Sequence, residues 1–227
     1  MSAENKTKES QYERLIRYKE NFGIESLGLM TNQAWIDDPK RLTFTFSRYK
    51  FVSKILNGLN DVLEIGCADA FASRIVKQSV NNLTVTDFDK IFIDDVNSRL
   101  NSKWPIKAIV HDILKGPLND KFDGAYALDV LEHIKPSDEN IFIENICSSL
   151  NEHGILVIGI PSIESQEYAS DISKEGHVNC KSMPELKSFL NIYFHNIFMF
   201  CMNDEVIHTG FHKMANYIFA VCCSKKI

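Results

Sequence analysis

Two textures of hydrophobic and polar positions divide the chain. After a polar start, Tyr12, Leu15, Ile16 and Phe22 fall roughly on one helical face. Lys19 interrupts that stripe, and Gly23 supplies a stop. Residues 24–38 show no regular period. A second helix has Asp38 as N-cap and Pro39 in its first turn. It carries the stripe Leu42, Phe46, Tyr49, Val52 or Ser53, and Leu56, and Gly58 ends it. From residue 61 the pattern changes to five short apolar runs, at 61–65, 83–86, 107–111, 124–128 and 154–160. Helical spacing is clearest between them at 71–79, 91–100 and 138–150. Near-continuous apolar strands alternating with helices predict a parallel sheet covered on both faces. Ser182 and Glu185 form a capping-box pattern with Pro184 in the first turn, opening a helix to about residue 191. The β-type runs near 194–202 and 217–223 have no helix between them and read as an antiparallel pair finishing the sheet. The expected organisation is a helical N-terminal cap over 1–60 and an α/β domain over 61–227.

The strand ends carry the candidate chemistry. The first β–α turn reads Glu64-Ile65-Gly66-Cys67-Ala68-Asp69-Ala70-Phe71. Small residues at alternate positions let a ligand approach the backbone, and the N–H groups of the following helix point towards it. Asp87 ends the second strand, where a carboxylate can accept hydrogen bonds from both hydroxyls of a ribose. Together these suggest an adenosine-type cofactor at the switch point of a doubly wound sheet. The nicotinamide fingerprint would need glycines at 66, 68 and 71, and only Gly66 is one. The spacing acidic-x-Gly-x-small-x-small is met by Glu64, Gly66, Ala68 and Ala70.

At this point the chain resembles the class I S-adenosylmethionine-dependent methyltransferases, over about residues 60–160 and, in outline, the tail. Asp112 followed by Ile113 after the third strand agrees with it, as do Asp129-Val130-Leu131-Glu132-His133 after the fourth and the glycine opening the fifth. The resemblance implies a seven-stranded Rossmann-like sheet of order 3-2-1-4-5-7-6 with one antiparallel member, and S-adenosylmethionine as cofactor. It implies that Glu64 reaches the methionine amino group through water, with Gly66, Cys67 and Ala68 as the backbone beside it. Asp87 and Phe88 would meet the ribose and its neighbourhood. Asp112 and Ile113 would meet the adenine, and Asp129 would line the cofactor pocket. Each acid also has a plainer reading as a turn or helix cap, and Asp89 competes with Asp87. Ala68 and Ala70 replace the usual glycines, and an alanine at φ > 0 is strained.

Methyl transfer chiefly requires alignment of nucleophile and methyl, and a general base only where the acceptor loses a proton. His177, after the polar loop 161–176, is the first candidate for base or acceptor positioning, and His133 the second. The expected reaction is transfer to oxygen or nitrogen of a small molecule. The segments Trp35-Ile36-Asp37-Asp38-Pro39 and Gly176-His177-Val178-Asn179-Cys180 resemble bacterial enzymes that modify sugars or surface-polysaccharide precursors. A non-catalytic cofactor-binding module and a nucleic-acid or protein methyltransferase are the alternatives.

Composition narrows these further. The 227 residues, 44% hydrophobic and with net charge −5, fit one ordinary α/β domain and disfavour a nucleic-acid partner. The Pro-Pro-aromatic and Pro-Cys motifs of DNA-methylating enzymes are absent. No apolar run reaches the roughly 18–20 residues of a membrane span, and the N-terminus lacks an apolar signal core. Six scattered cysteines without a CxxC pair read as reduced thiols in a cytoplasmic protein. Cys222 and Cys223 face opposite ways in a strand, and no metal site is expected. The N-terminal helices are a candidate homodimer face.

Overall fold

A computed structural model describes residues 7–226. The first six residues of the expected cap and the last residue of the expected domain lie outside them. Helices α1 (Glu13–Phe22), α2 (Leu29–Asp37) and α3 (Arg41–Ile55) precede the sheet. The alternating core is β1 (Asp61–Ile65), α4 (Ser73–Lys77), β2 (Asn82–Asp87), α5 (Lys90–Ser98), β3 (Lys107–Val110), β4 (Phe122–Leu128), α6 (Glu139–Ser149) and β5 (Leu150–Pro161). It is followed by α7 (Asp171–Gly176), α8 (Met183–Leu190), β6 (Phe194–Asn203), β7 (Val206–His208) and β8 (Tyr217–Lys225).

The strands form one sheet of order β3-β2-β1-β4-β5-β8-β6-β7. β1 to β5 are parallel, and β8 runs antiparallel to both β5 and β6. The α/β class and central order match expectation, with eight strands instead of seven. The addition is β7, a three-residue strand that folds back on β6 through the turn Asp204-Glu205 and pairs Asn203 with Val206. Asp204 takes φ 49°, the left-handed conformation such a tight hairpin requires.

Apolar side chains pack on both faces of the sheet. Phe142, Ile146, Leu186 and Leu190 of α6 and α8 bury one face, and Tyr49, Val52, Leu56, Val76, Ile93 and Val96 bury the other. Val52 and Leu56 are fully buried, and each such side chain contributes on the order of 1.5–3 kcal/mol. α3 is therefore a covering layer of the sheet itself. α1 differs, since none of its residues is buried.

α2 forms where no regular period was expected. Its opening N–H groups find a partner far along the chain: Asp69 Oδ2 accepts from the Thr31 N–H at 2.6 Å, and Asp69 Oδ1 from the Thr31 hydroxyl at 3.2 Å. Gly28 allows this approach, because a Cβ there would sit 2.5 Å from the Asp69 side chain. The expected polar loop 161–176 likewise contains a 3₁₀ segment, Ile163–Tyr168, and the short helix α7. Ser162 and Ser170 cap these two turns by accepting N–H bonds from Ser165 and Ser173.

Candidate active site

The sheet order reverses direction between β1 and β4, and in open α/β sheets ligands bind beyond the strands' carboxyl ends at such a point. The β1–α4 turn lies there. Gly66, Ala68 and Ala70 all have positive φ, at 70°, 45° and 49°. A Cβ at Gly66 would also meet Val130 at 2.5 Å, so the turn packs tightly on the β4 turn. The two alanines adopt a conformation that costs an L-residue roughly 1–2 kcal/mol.

That strain is held by a closed set of hydrogen bonds. The Gly66 and Cys67 N–H groups donate to the Thr86 carbonyl, and the Ala68 N–H donates to Asp87 Oδ2 at 2.9 Å. The Ala70 N–H donates to the Cys67 carbonyl, and the Phe71 N–H to Asp69 Oδ1. A pyrophosphate loop needs such N–H groups free. This loop spends five of them, those of Gly66, Cys67, Ala68, Ala70 and Phe71, inside the protein.

Asp87 is buried at the end of β2, and its second oxygen accepts from the Asp89 N–H at 2.9 Å. Asp89, the competing acid, caps α5 by accepting from the Ile91 N–H. Phe88 projects into solvent at 74% exposure, and Val110, paired with Asp87 across the strands, is 47% exposed. These apolar groups lie exposed beside a buried carboxylate at the strand end. Asp112 accepts from the Leu114 N–H and pairs with Lys115 at 3.3 Å, and Ile113 is buried against the core.

Glu64 stands near the end of its strand beneath the β1 turn, bonded to two tyrosines. It is 1% exposed, and its two oxygens accept the hydroxyls of Tyr49 at 2.7 Å and Tyr126 at 2.6 Å. Burial pushes its carboxyl up to about 7 against the opposing hydrogen bonds. It thereby ties α3 to the sheet directly beneath the β1 turn. Burial also pushes the Cys67 thiol well up, which disfavours the thiolate needed by a nucleophile.

A second cluster surrounds the β4 end. Asp129 has φ 56° and takes Arg48 Nη1 at 2.7 and 2.9 Å. The Arg48 guanidinium also lies 3.9 Å from the centre of the Tyr217 ring. The Glu132 side chain is fully buried, and neither carboxylate oxygen has a partner among the described residues. Burial, with the Asp129 charge second, pushes its carboxyl well above the usual range. The Glu132 carbonyl accepts the N–H groups of Val178 and Asn179 at 2.8 and 3.0 Å. This tether brings His177 beside His133, with ring centres 5.2 Å apart. One ligand atom from each of Glu132, His133 and His177 lies within 4.8 Å of the other two. The two histidines are those expected from the sequence, whereas Glu132 joins them from the Asp129–His133 segment, where no metal site is expected. Burial and the Glu132 carbonyl bonds, which create this cluster, leave no local sequence signal.

A groove of about 570 Å³ lies at the opposite end of the sheet, among Asp61, Asn82, Lys107 and Phe122. These residues begin strands, and the chemistry-bearing side chains are not among them.

Comparison with known proteins agrees with this geometry. Residues 63–158 match the family model described as a methyltransferase domain. The chain is 24% identical over 135 residues to the malonyl-(acyl-carrier protein) O-methyltransferase of Calditerrivibrio nitroreducens, covering 60% of this chain and 51% of that one. It thus spans about half the length of that relative. Among solved structures, the N-methyltransferase NodS of Bradyrhizobium japonicum WM9, in complex with S-adenosyl-L-homocysteine, superposes with a TM-score of 0.60 at 19% identity. The match covers 84% of this chain and 90% of NodS. The DhpI–SAH complex gives 0.64 at 12% identity, covering 87% and 92%. These superpositions show that the chain shares the fold of those methyltransferases. No helix among the described residues is long and apolar enough to cross a membrane.

Proposed function

We propose that this chain transfers the methyl group of S-adenosylmethionine to oxygen or nitrogen of a small molecule. The observation that carries this reading is the strand-end array at the β1/β4 switch point. It combines a loop whose Gly66, Cys67, Ala68, Ala70 and Phe71 N–H groups are internally satisfied, the buried Asp87, and the exposed Phe88 beside it. Such an array favours a nucleoside over a dinucleotide, whose pyrophosphate needs free N–H groups. When bound, S-adenosylmethionine supplies a sulfonium-activated methyl group.

The chain's own residues divide between the two halves of that task. Asp87 holds the β1 turn in place and presents carboxylate oxygens to the ribose. Phe88 supplies an apolar surface for the nucleoside, and Asp112 and Ile113 border the adenine. Gly66, Cys67 and Ala68 form the backbone floor. Glu64 acts by position, holding Tyr49 and Tyr126 under that floor. Asp129, paired with Arg48, separates the cofactor side from the acceptor side. His177 and His133 face the acceptor, and burial followed by the neighbouring His133 lowers the His177 pKa, which favours a neutral imidazole. The similar proteins include one named for oxygen and one for nitrogen methylation, which supports an oxygen or nitrogen acceptor.

A sugar or polysaccharide precursor is the acceptor class favoured here. Trp35 of α2 is 54% exposed, and an indole face of that kind packs against the C–H face of a sugar ring. The test is a methyl-transfer screen over nucleotide sugars, glycans and amines, read by product mass. A mass gain of one methyl on a sugar substrate supports the reading. Transfer only to nucleic acid or protein would replace it.

A further inference from the structure

We propose that Glu132, His133 and His177 form a binding site for one divalent first-row transition-metal ion. Three independent features converge on it. One candidate ligand atom from each of the three side chains lies within 4.8 Å of the other two. Bonds of about 2.0–2.2 Å to a single ion draw such atoms closer still. Glu132 is fully buried with both oxygens unpartnered. A buried carboxylate without hydrogen bonds costs several kcal/mol and is retained where a cation or a proton compensates it.

The third feature is the outer shell. His133 Nδ1 lies 2.9 Å from the Gly176 carbonyl oxygen, and His177 Nδ1 lies 2.8 Å from Gln166 Oε1. Both partners can only accept, so each ring carries its proton on Nδ1 and leaves the Nε2 lone pair available. The Gln166 orientation is consistent, because its amide nitrogen is directed to the Ser162 carbonyl at 3.3 Å. Metal-ligating histidines characteristically donate their other ring N–H to an oxygen in this way, which fixes both tautomer and orientation. The backbone provides the same organisation, since the Val178 and Asn179 N–H groups hold the His177 segment to the Glu132 carbonyl.

Two imidazoles with one carboxylate favour zinc-like ions over Mg²⁺ or Ca²⁺, which prefer oxygen donors. Three protein ligands also leave coordination positions open for an acceptor oxygen. That use of the ion rests on the methyl-transfer reading, whereas the site itself rests on side-chain geometry alone.

The test uses the full chain, stripped with a chelator and titrated with Zn²⁺ and with Co²⁺. Bound metal is measured directly, and Co²⁺ also through its visible absorption. The wild type is expected to bind one equivalent, with millimolar Mg²⁺ failing to compete. Glu132→Gln and His177→Ala should each weaken binding by about tenfold or more, and Gln166→Ala by about tenfold through loss of ring orientation. If Glu132→Gln does not fold, His177→Ala and Gln166→Ala, checked for native thermal unfolding, carry the decision. Absence of binding in the wild type overturns the site, as does binding unchanged in His177→Ala. Binding of S-adenosylhomocysteine is measured on the same stripped samples. Metal binding without it would sink the methyltransferase reading and leave the metal site standing.

Discussion

The two halves of the candidate active site differ in how completely they satisfy themselves. Around the β1 turn, the N–H groups of Gly66, Cys67, Ala68, Ala70 and Phe71 are hydrogen-bonded within the protein, as are both side-chain oxygens of Asp69 and Asp87. Around the β4 end, the Glu132 carboxylate, the Tyr217 hydroxyl and Arg48 Nε are buried without partners among the described residues. Buried polar groups are nearly always paired, so unpaired ones mark a place where something else binds or reacts. On the β1 side the exception is Ser73 Oγ, a buried hydroxyl without a partner among the described residues. The β4 side leaves a whole carboxylate unpaired, and on the proposed reading that is the side that meets the acceptor.

The largest expected effect separates the halves by function. His177→Ala should lower turnover by about 10²–10⁴-fold, the usual contribution of a base or ligand at the reacting group. Affinity for S-adenosylhomocysteine should stay within about twofold. Steady-state kinetics alongside calorimetry checks this, and a parallel loss of cofactor affinity would merge the two halves into one pocket.

The next concerns pH. The folded-state pKa of Glu64 is raised from its ordinary value to about 7. The native chain therefore holds a proton that the unfolded chain has released. This contribution to stability is fully present below about pH 4.5 and is lost as pH rises to about 7, amounting to about 3 kcal/mol at most. Glu64→Gln should remove only its own share, flattening the pH dependence of urea-unfolding stability across this window. A mutant curve parallel to wild type would show that Tyr49 and Tyr126 bond to a permanently ionised carboxylate.

A smaller effect probes the β1 turn itself. Ala68→Gly and Ala70→Gly relieve positive-φ strain, and glycine's larger unfolded-state entropy offsets part of the gain. Each should stabilise the chain by up to about 1 kcal/mol, raising Tm by roughly 2–4 °C. A fall in Tm would mean that the alanine methyl groups pack usefully enough to outweigh the strain.

The contrast between the halves also explains what could be read from the sequence. Alternating apolar runs and helices are local signals, and β1 spans 61–65 as expected while the capping box at Ser182 is formed with Glu185. α2 escaped notice because its cap, Asp69, lies 38 residues away and its apolar positions keep no helical period. β7 is three residues long, too short for an alternation to show. In the cofactor half, Asp87 was legible because strand ends punctuate the sequence. In the acceptor half, the pairing of His133 with His177 depends on backbone bonds to the Glu132 carbonyl, which bridge more than 40 residues. The unpartnered state of Glu132 depends on burial by the whole fold, and neither fact has a local signature.

The central claim is that the strand-end site binds S-adenosylmethionine through Asp87, and a calorimetric titration tests it most directly. Wild-type protein is titrated with S-adenosylhomocysteine and with NAD⁺, and the Asp87→Ala and Asp89→Ala variants follow. The account predicts saturable binding of S-adenosylhomocysteine and none of NAD⁺. Asp87→Ala should lose about 1.5–3 kcal/mol of affinity, as expected for hydrogen bonds to a charged group, while Asp89→Ala stays close to wild type. Binding of NAD⁺ without S-adenosylhomocysteine would contradict it, as would full affinity in Asp87→Ala.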